Sequence, residues 1–268
     1  MNDVDLSHVS WASRYRRRKA RSKEGECECE FWDPDVDKGE VLTLGNGEID
    51  NKMGGGIPLG SLALIEGPND CGKSVLTQQY MKSAVQQGHI VCTYTTENTT
   101  KSLLEQMKSL SLDVSDYFVL GRIKVFPIWS IEERSQSSDT SLLDLILNDM
   151  QRKKAEVVLI DSLTVFVTHS GVNGILNFFA ACKTLCDHGK TILITVHEYA
   201  FNQEMLTRVR SICDVHIALR LEAVEDKLLR TMEVAKVRGA RRVTGSILSF
   251  AVEPKLGLRL IPISRARA

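Results

Sequence analysis

The run Ser61–Gly88, SLALIEGPNDCGKSVLTQQYMKSAVQQG, decides the fold. It opens with Leu62, Ala63, Leu64 and Ile65, a short apolar stretch that predicts a buried strand. Gly67-Pro68-Asn69-Asp70-Cys71-Gly72-Lys73-Ser74 then fits G-x-x-x-x-G-K-[ST], and a helical pattern begins at once with Val75. Strand, glycine loop and helix in that order are the setting in which this motif cradles phosphate. Gly67 and Gly72 let the backbone curl so that N–H groups point inward at phosphate oxygens, and the new helix adds the positive end of its dipole. Lys73 would reach the β- and γ-phosphates and Ser74 would place its hydroxyl on Mg²⁺. The competing reading, a glycine turn that happens to hold a lysine, is weakened by a strand and a helix both in register. Residues Gly67 to Val75 therefore predict a site for a nucleoside triphosphate, ATP with Mg²⁺.

The chain of 268 residues has room for one large α/β domain or two small ones. Its 34 basic and 34 acidic residues cancel, so no global field draws nucleic acid, although a local patch still could. No apolar stretch approaches the ~20 residues of a membrane helix, and the N-terminus has no apolar leader pattern; a cytoplasmic protein is expected. Seven cysteines at irregular spacing do not form a disulfide framework. Cys182 and Cys186, one helical turn apart in NFFAACKTLC, read as core thiols rather than metal ligands. Cys27 and Cys29 flank Glu28 in an acidic stretch with no convincing further ligand.

Residues 1–40 differ from the rest. Arg14 to Arg21 is strongly basic and Glu24 to Glu30 strongly acidic, as in solvated arms and contact tails. The favoured reading is an extension whose halves screen each other, and the alternative is an electrostatic handle for a partner, a membrane surface or nucleic acid. A globular ATP-binding domain is expected over 41–268. Leu44 to Ser61 is glycine-rich and reads as a loop.

Beyond the phosphate loop, His89 to Thr95 predicts a second strand ending at Thr96-Glu97-Asn98. Glu97 could orient a water for attack on the γ-phosphate, or could simply begin the next helix; the sequence leaves the two even. Asp116 to Trp129 predicts a strand interrupted at Gly121, and Ser141 to Lys154 a helix. Val157-Val-Leu-Ile-Asp161 is an apolar strand delivering one carboxylate, as a Mg²⁺ shell needs. That pattern alone is common, and it gains weight from the phosphate loop upstream. Lys190 to His197 predicts another strand, with Thr195 and His197 at the carboxyl end where open α/β sheets hold ligands. Either could sense the γ-phosphate or merely close a strand. After a helix at 203–212 and a strand at 214–221, the runs 228–237, 247–252 and 256–263 alternate and predict antiparallel strands. The expected fold is α/β: a mostly parallel sheet flanked by helices, extended at one edge by terminal hairpins.

Three segments carry a family likeness. LGNGEIDNKMGGGIPLGSLALIEGPNDCGKS resembles the opening of the KaiC branch of RecA-like P-loop ATPases, VVLIDSLT resembles its second motif, and AKVRG at 235–239 resembles its Lys-x-Arg-Gly. The likeness extends over about residues 40–264 and implies a RecA-like fold. It also implies that Lys236 and Arg238 reach the nucleotide of a neighbouring subunit in trans, as arginine fingers do; a solvated turn is the alternative. Within the branch, a chain of this length resembles the accessory ATP-binding ring proteins of the archaellum, the archaeal swimming motor. That resemblance implies a hexameric ring at the inner face of the cell membrane, contacting the motor ATPase and membrane platform proteins. Two departures stand out. Asp70 puts a carboxylate beside the phosphates, unhelpful unless it turns away or Mg²⁺ relieves it, and Asn98 stands where many active relatives carry a second acid. Both fit tight ATP binding with slow hydrolysis.

Two alternatives remain. A recombinase-like ATPase acting on DNA needs basic loops, yet 132–140 and 198–203 are acidic or neutral, so nucleic acid is not an expected partner. A self-phosphorylating KaiC-like signalling protein commonly has tandem domains.

Overall fold

The computed structural model describes residues 40–128, 141–167, 170–224, 227–240 and 247–261. The charged segments 14–21 and 24–30, Cys27, Cys29, Trp129, the loop 132–140, Arg241 and Arg242 lie outside the described residues.

The segment from Leu44 to Ser61, expected to be only a loop, holds a helix and a short strand. Val41–Leu42 (β1) pairs antiparallel with Ile57–Pro58 (β2), and helix Gly47–Lys52 (α1) lies between them. Asn46 caps α1 by accepting from the Glu48 and Ile49 amides, and the Asp50 carboxylate accepts from the amides of Leu44 and Asn46. These local side-chain to backbone bonds, rather than any apolar periodicity, hold the helix.

Next come Leu62–Gly67 (β3), Lys73–Gln86 (α2), Val91–Thr95 (β4), Thr100–Ser109 (α3), Ser115–Val119 (α4) and Ile123–Pro127 (β5). They are followed by Leu142–Arg152 (α5), Val157–Asp161 (β6), Thr164–Val167 (α6), Val172–Asp187 (α7) and Thr191–His197 (β7). Gln203–Ile212 (α8), Val215–Val224 (β8), Lys227–Val237 (β9), Ile247–Glu253 (β10) and Gly257–Ile261 (β11) complete the order. One expectation needs correction: the start of the 116–129 run is a helix, not a strand. Tyr117, Phe118 and Val119 favour strands by type, but they have no sheet neighbour. The backbone turns at Gly121 (φ +71°) before β5 begins.

The main sheet runs β11-β10-β9-β8-β3-β7-β6-β4-β5. From β8 to β5 all pairs are parallel, whereas β9, β10 and β11 add antiparallel strands at one edge, as expected. Each face of the parallel part is covered, and β3 is apolar from Leu62 to Ile65, with the buried Glu66 following. Ala63 and Ile65 pack with Leu76 and Tyr80 of α2, while Leu62 and Leu64 pack with Phe178, Phe179 and Val209 from α7 and α8. That alternation is the pleat of a strand buried on both faces. Cys182, Cys186 and Cys213 are free and buried in the second of these clusters, and burial pushes their thiols up, those of Cys186 and Cys213 to about 12. They are inert core thiols. No described helix is long and apolar enough to cross a membrane.

Candidate functional site

Parallel strands with helical crossovers send all their carboxyl ends to one side of the sheet, and ligands collect there. A cavity of about 680 Å³ opens at that side, within the usual size of small-molecule sites. It is lined by Asn69, Asp70, Gly72, Lys73, Ser74 and Val75 of the loop and α2, by Glu97, Asp161, His197 and Tyr199, and by Gln106, Arg230 and Val252.

The loop's shape explains its glycines. Gly72 has φ +100° and Asp70 φ +59°, left-handed values that disfavour most side chains. At Gly67 a Cβ would stand 2.5 Å from the Leu219 carbonyl oxygen and 2.8 Å from Cys71 Sγ. Gly72 caps α2 without any side-chain hydrogen bond, so the first-turn N–H groups of this helix keep the orphan donors that suit an anion.

Lys73 is almost fully buried. Its Nζ donates to the carbonyls of Gly67 (3.1 Å) and Pro68 (2.6 Å) and lies 3.8 Å from Cys71 Sγ. Gly67 and Pro68 therefore act through carbonyls behind the cavity, and Cys71 belongs to the core, where burial raises its thiol above the ordinary value. The Asp70 side chain is exposed at the rim.

Asp161 is held in place by Thr195, which is fully buried and donates its hydroxyl to Asp161 Oδ1 at 2.6 Å. Thr195 thus orients the carboxylate and does not itself face the cavity. His197 does line it. The His197 ring stacks on Tyr199 with 5.2 Å between centroids, and its Nδ1 is 3.0 Å from Thr164 Oγ1. Burial, then the Lys73 charge, hold His197 below the ordinary histidine value against the pull of Asp161.

The even choice at Glu97 now separates. Helix α3 is capped by Thr99, which accepts from the Ser102 amide, and Asn98 Oδ1 accepts from the Ser102 hydroxyl. Glu97 instead lines the cavity. Burial raises its carboxyl most, then Asp161; Lys73 opposes and Asp70 adds a smaller push upward. A carboxyl with a raised pKa beside a carboxylate is suited to accepting a proton.

Lys236 and Arg238 are not brought to their own chain's cavity. Lys236 Nζ donates to the carbonyls of Arg210 (3.1 Å), Ser211 (3.4 Å) and Cys213 (2.5 Å), at the end of α8. Arg238 donates to the Ser211 carbonyl (3.2 Å) and lies 3.6 Å from Asp214 Oδ1. Cations at a helix carboxyl end satisfy its orphan carbonyls and its dipole, so within one chain both residues cap α8.

Gln106, Tyr199, Arg230 and Val252 were not singled out by the sequence. Arg230 and Val252 sit in alternating strands outside the motifs, and Tyr199 follows a strand end without a recognisable pattern. Among the described residues no group of three or more His, Cys, Asp and Glu side chains is arranged to hold a metal. The hard oxygens of Ser74 and Asp161 suit Mg²⁺, which binds through one or two carboxylates plus substrate phosphates and retains water. The donor set fits a Mg²⁺–nucleotide, with Lys73 as the cation for its phosphates.

Fold and site together define a RecA-like ATPase domain, and a family model described as "ATPase: KaiC" matches residues 44–264. The chain belongs to that family of KaiC-type ATPases. Within it, the chain is similar to the archaeal flagellar ATP-binding protein FlaH of Sulfolobus acidocaldarius, 32% identical over 233 residues, covering 85% of this chain and 100% of that protein. The crystal structure of flagellar accessory protein FlaH from Methanocaldococcus jannaschii matches with a TM-score of 0.73 at 25% identity, over 83% of this chain and 99% of that one. Circadian clock protein KaiC3 of Synechocystis is 25% identical over 87% of this chain, which spans 48% of that protein.

Proposed function

We propose that this protein is an ATP-binding component of the archaeal flagellar machinery whose nucleotide occupancy governs assembly, with hydrolysis slow or absent. The observation that carries the reading is the meeting of Lys73, Ser74, Glu97 and Asp161 on one cavity at the carboxyl side of a parallel sheet. The similarity to FlaH proteins supplies the machinery. Residues 41–268 form the ATP-binding domain in this reading, and 1–40 an extension. The protein works as a hexameric ring in the cytoplasm, at the inner face of the membrane, beside the motor ATPase and platform proteins.

Each residue has a definite task. To meet a triphosphate, Lys73 exchanges the Gly67 and Pro68 carbonyls for phosphate oxygens. The amides of the loop and of the first turn of α2 supply the remaining donors. Ser74 and Asp161 hold Mg²⁺, which neutralises phosphate charge, and Thr195 keeps the Asp161 carboxylate in its rotamer. Glu97 can take a proton from water, but Asn98 bonds Ser102 and offers no second base, which favours slow turnover. Lys236 and Arg238 act on a neighbour's nucleotide only if ring assembly draws them from the α8 carbonyls.

The DNA-directed alternative finds little to bind with. The described residues 198–203 carry no cation, and Glu198 opens a short 3₁₀ turn there. ATP affinity and single-turnover hydrolysis, each with and without DNA, test the proposal. Tight binding with slow, DNA-indifferent turnover is expected. Turnover of ~1 s⁻¹ or more, stimulated by DNA, would overturn it in favour of the recombinase-like reading.

A further inference from the structure

Arg210, in the last turn of α8, is held at both ends. Its guanidinium forks onto Glu66, with Nε 3.1 Å from Oε2 and Nη2 on Oε1. Its backbone carbonyl accepts from Lys236 Nζ at 3.1 Å. Glu66 is buried in β3 immediately before Gly67, where the phosphate loop begins. Gly67 packs so closely on the Leu219 carbonyl that a Cβ there would stand 2.5 Å from its oxygen, and a site packed that tightly does not absorb a shift of Glu66. Arg238 is wired differently. It rests on Asp214, whose Oδ2 also accepts from the Leu62 amide (3.0 Å) and from Lys183 Nζ (2.7 Å). When Arg238 leaves, Asp214 keeps both donors and the start of β3 stays held.

We propose that Arg210 is a positioning residue that couples adjoining nucleotide sites. Its carbonyl loses Lys236 when that cation moves to a neighbour's phosphates, and its guanidinium carries the change to Glu66 and so to the phosphate loop of its own chain. This rests on the ring reading above, in which Lys236 acts in trans. The two states are concrete: Lys236 on the α8 carbonyls, as here, or on a second copy's nucleotide. In the second state the carbonyls of Arg210, Ser211 and Cys213 lose a charged donor together. Orphan carbonyls at a helix end seek new partners, so the last turn of α8 rearranges. Glu66 follows because the pair between it and Arg210 does not part. A forked bond to a buried carboxylate costs more to break than the coupling between two sites usually amounts to.

The test is calorimetric binding of Mg²⁺–ATP, with light scattering on the same samples, for the wild type, Arg210→Met, Glu66→Gln and the double variant. The wild-type ring is expected to depart from single-site binding, with about five-fold or more between its first and last dissociation constants. Either single variant should keep the ring and bring those constants within about two-fold of each other, the double variant adding nothing because both changes cut one link. An Arg210 that merely stabilised the fold would, when replaced, weaken every site alike and leave the ratio untouched. Circular dichroism checks folding, and Glu66→Gln carries the test if Arg210→Met does not fold. A wild-type ring with a single-site isotherm, variant rings that keep the wild-type ratio, or loss of the ring in both single variants would each overturn the assignment. A wild type that binds ATP without forming a ring would instead overturn the ring reading, and one that binds no ATP the phosphate-loop reading, each taking this inference with it.

Discussion

The two wings of the sheet on either side of β3 work differently. On the wing of β7, β6 and β4, functional side chains stand at or just past the ends of parallel strands: His197 and Asp161 close their strands, and Glu97 follows β4 by two residues. On the wing of β8 to β11, Arg230 and Val252 project from within antiparallel strands. The first wing collects acids and the second supplies a cation and an apolar wall. A parallel strand presents chemistry at its tip because its flanks are buried by helices, whereas an antiparallel edge can lay a side chain across a neighbouring loop. The phosphate loop sits at the seam, with the carboxylates on one side and Arg230 on the other.

The largest expected effect lies at the seam. Lys73→Ala should lose Mg²⁺–ATP affinity by at least about 100-fold, since it removes the buried ammonium that the proposed function assigns to the phosphates; calorimetric titration with circular dichroism as a fold check measures it. Retained affinity would mean that the wings bind without the loop.

Asp161→Asn separates the wings. ATP affinity should fall about ten-fold with Mg²⁺ and by less than about two-fold in its absence, as the proposed metal-holding role of Asp161 requires. Comparable losses in both conditions would place Asp161 outside the metal shell.

A buried carboxylate just before the loop joins β3 to helix α8 and to β8. Glu66, immediately before Gly67, is paired with Arg210, which donates through Nε at 3.1 Å and through Nη2, and lies 3.2 Å from His216 Nε2. Burial pushes Glu66 up, but the adjacent His216 and then the hydrogen-bonded Arg210 hold its carboxyl below the ordinary value. Glu66→Gln should cost about 2 kcal/mol near neutral pH, less than a fully buried pair because Arg210 is 34% exposed. The sign follows from the lowered folded value. Wild-type stability from this group is present above the unfolded carboxyl pKa and is lost as pH falls through the folded one. Urea denaturation of both proteins across acid pH should therefore show the difference shrinking toward low pH; a constant gap would argue against the ionised pair.

Glu97→Gln should leave ATP affinity within about two-fold and remove whatever single-turnover hydrolysis the protein has. In the wild type the rate should fall with decreasing pH, at a value above the ordinary carboxylate range, because Glu97 must be ionised to accept a proton. A profile flat through that range would remove Glu97 from the chemistry.

The smallest effect belongs to Arg238, 56% exposed beside Asp214. Arg238→Ala should cost the isolated chain about 0.5 kcal/mol by thermal denaturation, while impairing any nucleotide-dependent ring seen by light scattering. Loss of stability alone, with the ring intact, would confine Arg238 to capping α8.

How legible the molecule was follows from the range of the interactions. Helix α1 went unread because the side-chain bonds of Asn46 and Asp50 hold it, and these carry no apolar period. The 115–119 helix is hidden in the sequence because Tyr117, Phe118 and Val119 are strand-forming residues with no strand beside them. The alternation of β and α, the antiparallel edge and the inert thiols of Cys182 and Cys186 were all visible, since each depends on pattern within one element.

The sequence by itself determined the loop from Gly67 to Ser74, the carboxylate at Asp161 and the α/β class. Each is a local order of residue types, a buried strand followed at once by the group it delivers. Only the tertiary structure decided that Glu97 faces the cavity rather than capping α3, that Thr195 serves Asp161, and that Lys236 and Arg238 rest on the end of α8. It alone brought Arg230 to the loop. That meeting depends on the pairing of β9 with β8 and β10 across the sheet, and a contact between residues so far apart in the chain is set by strand register, which no local pattern encodes.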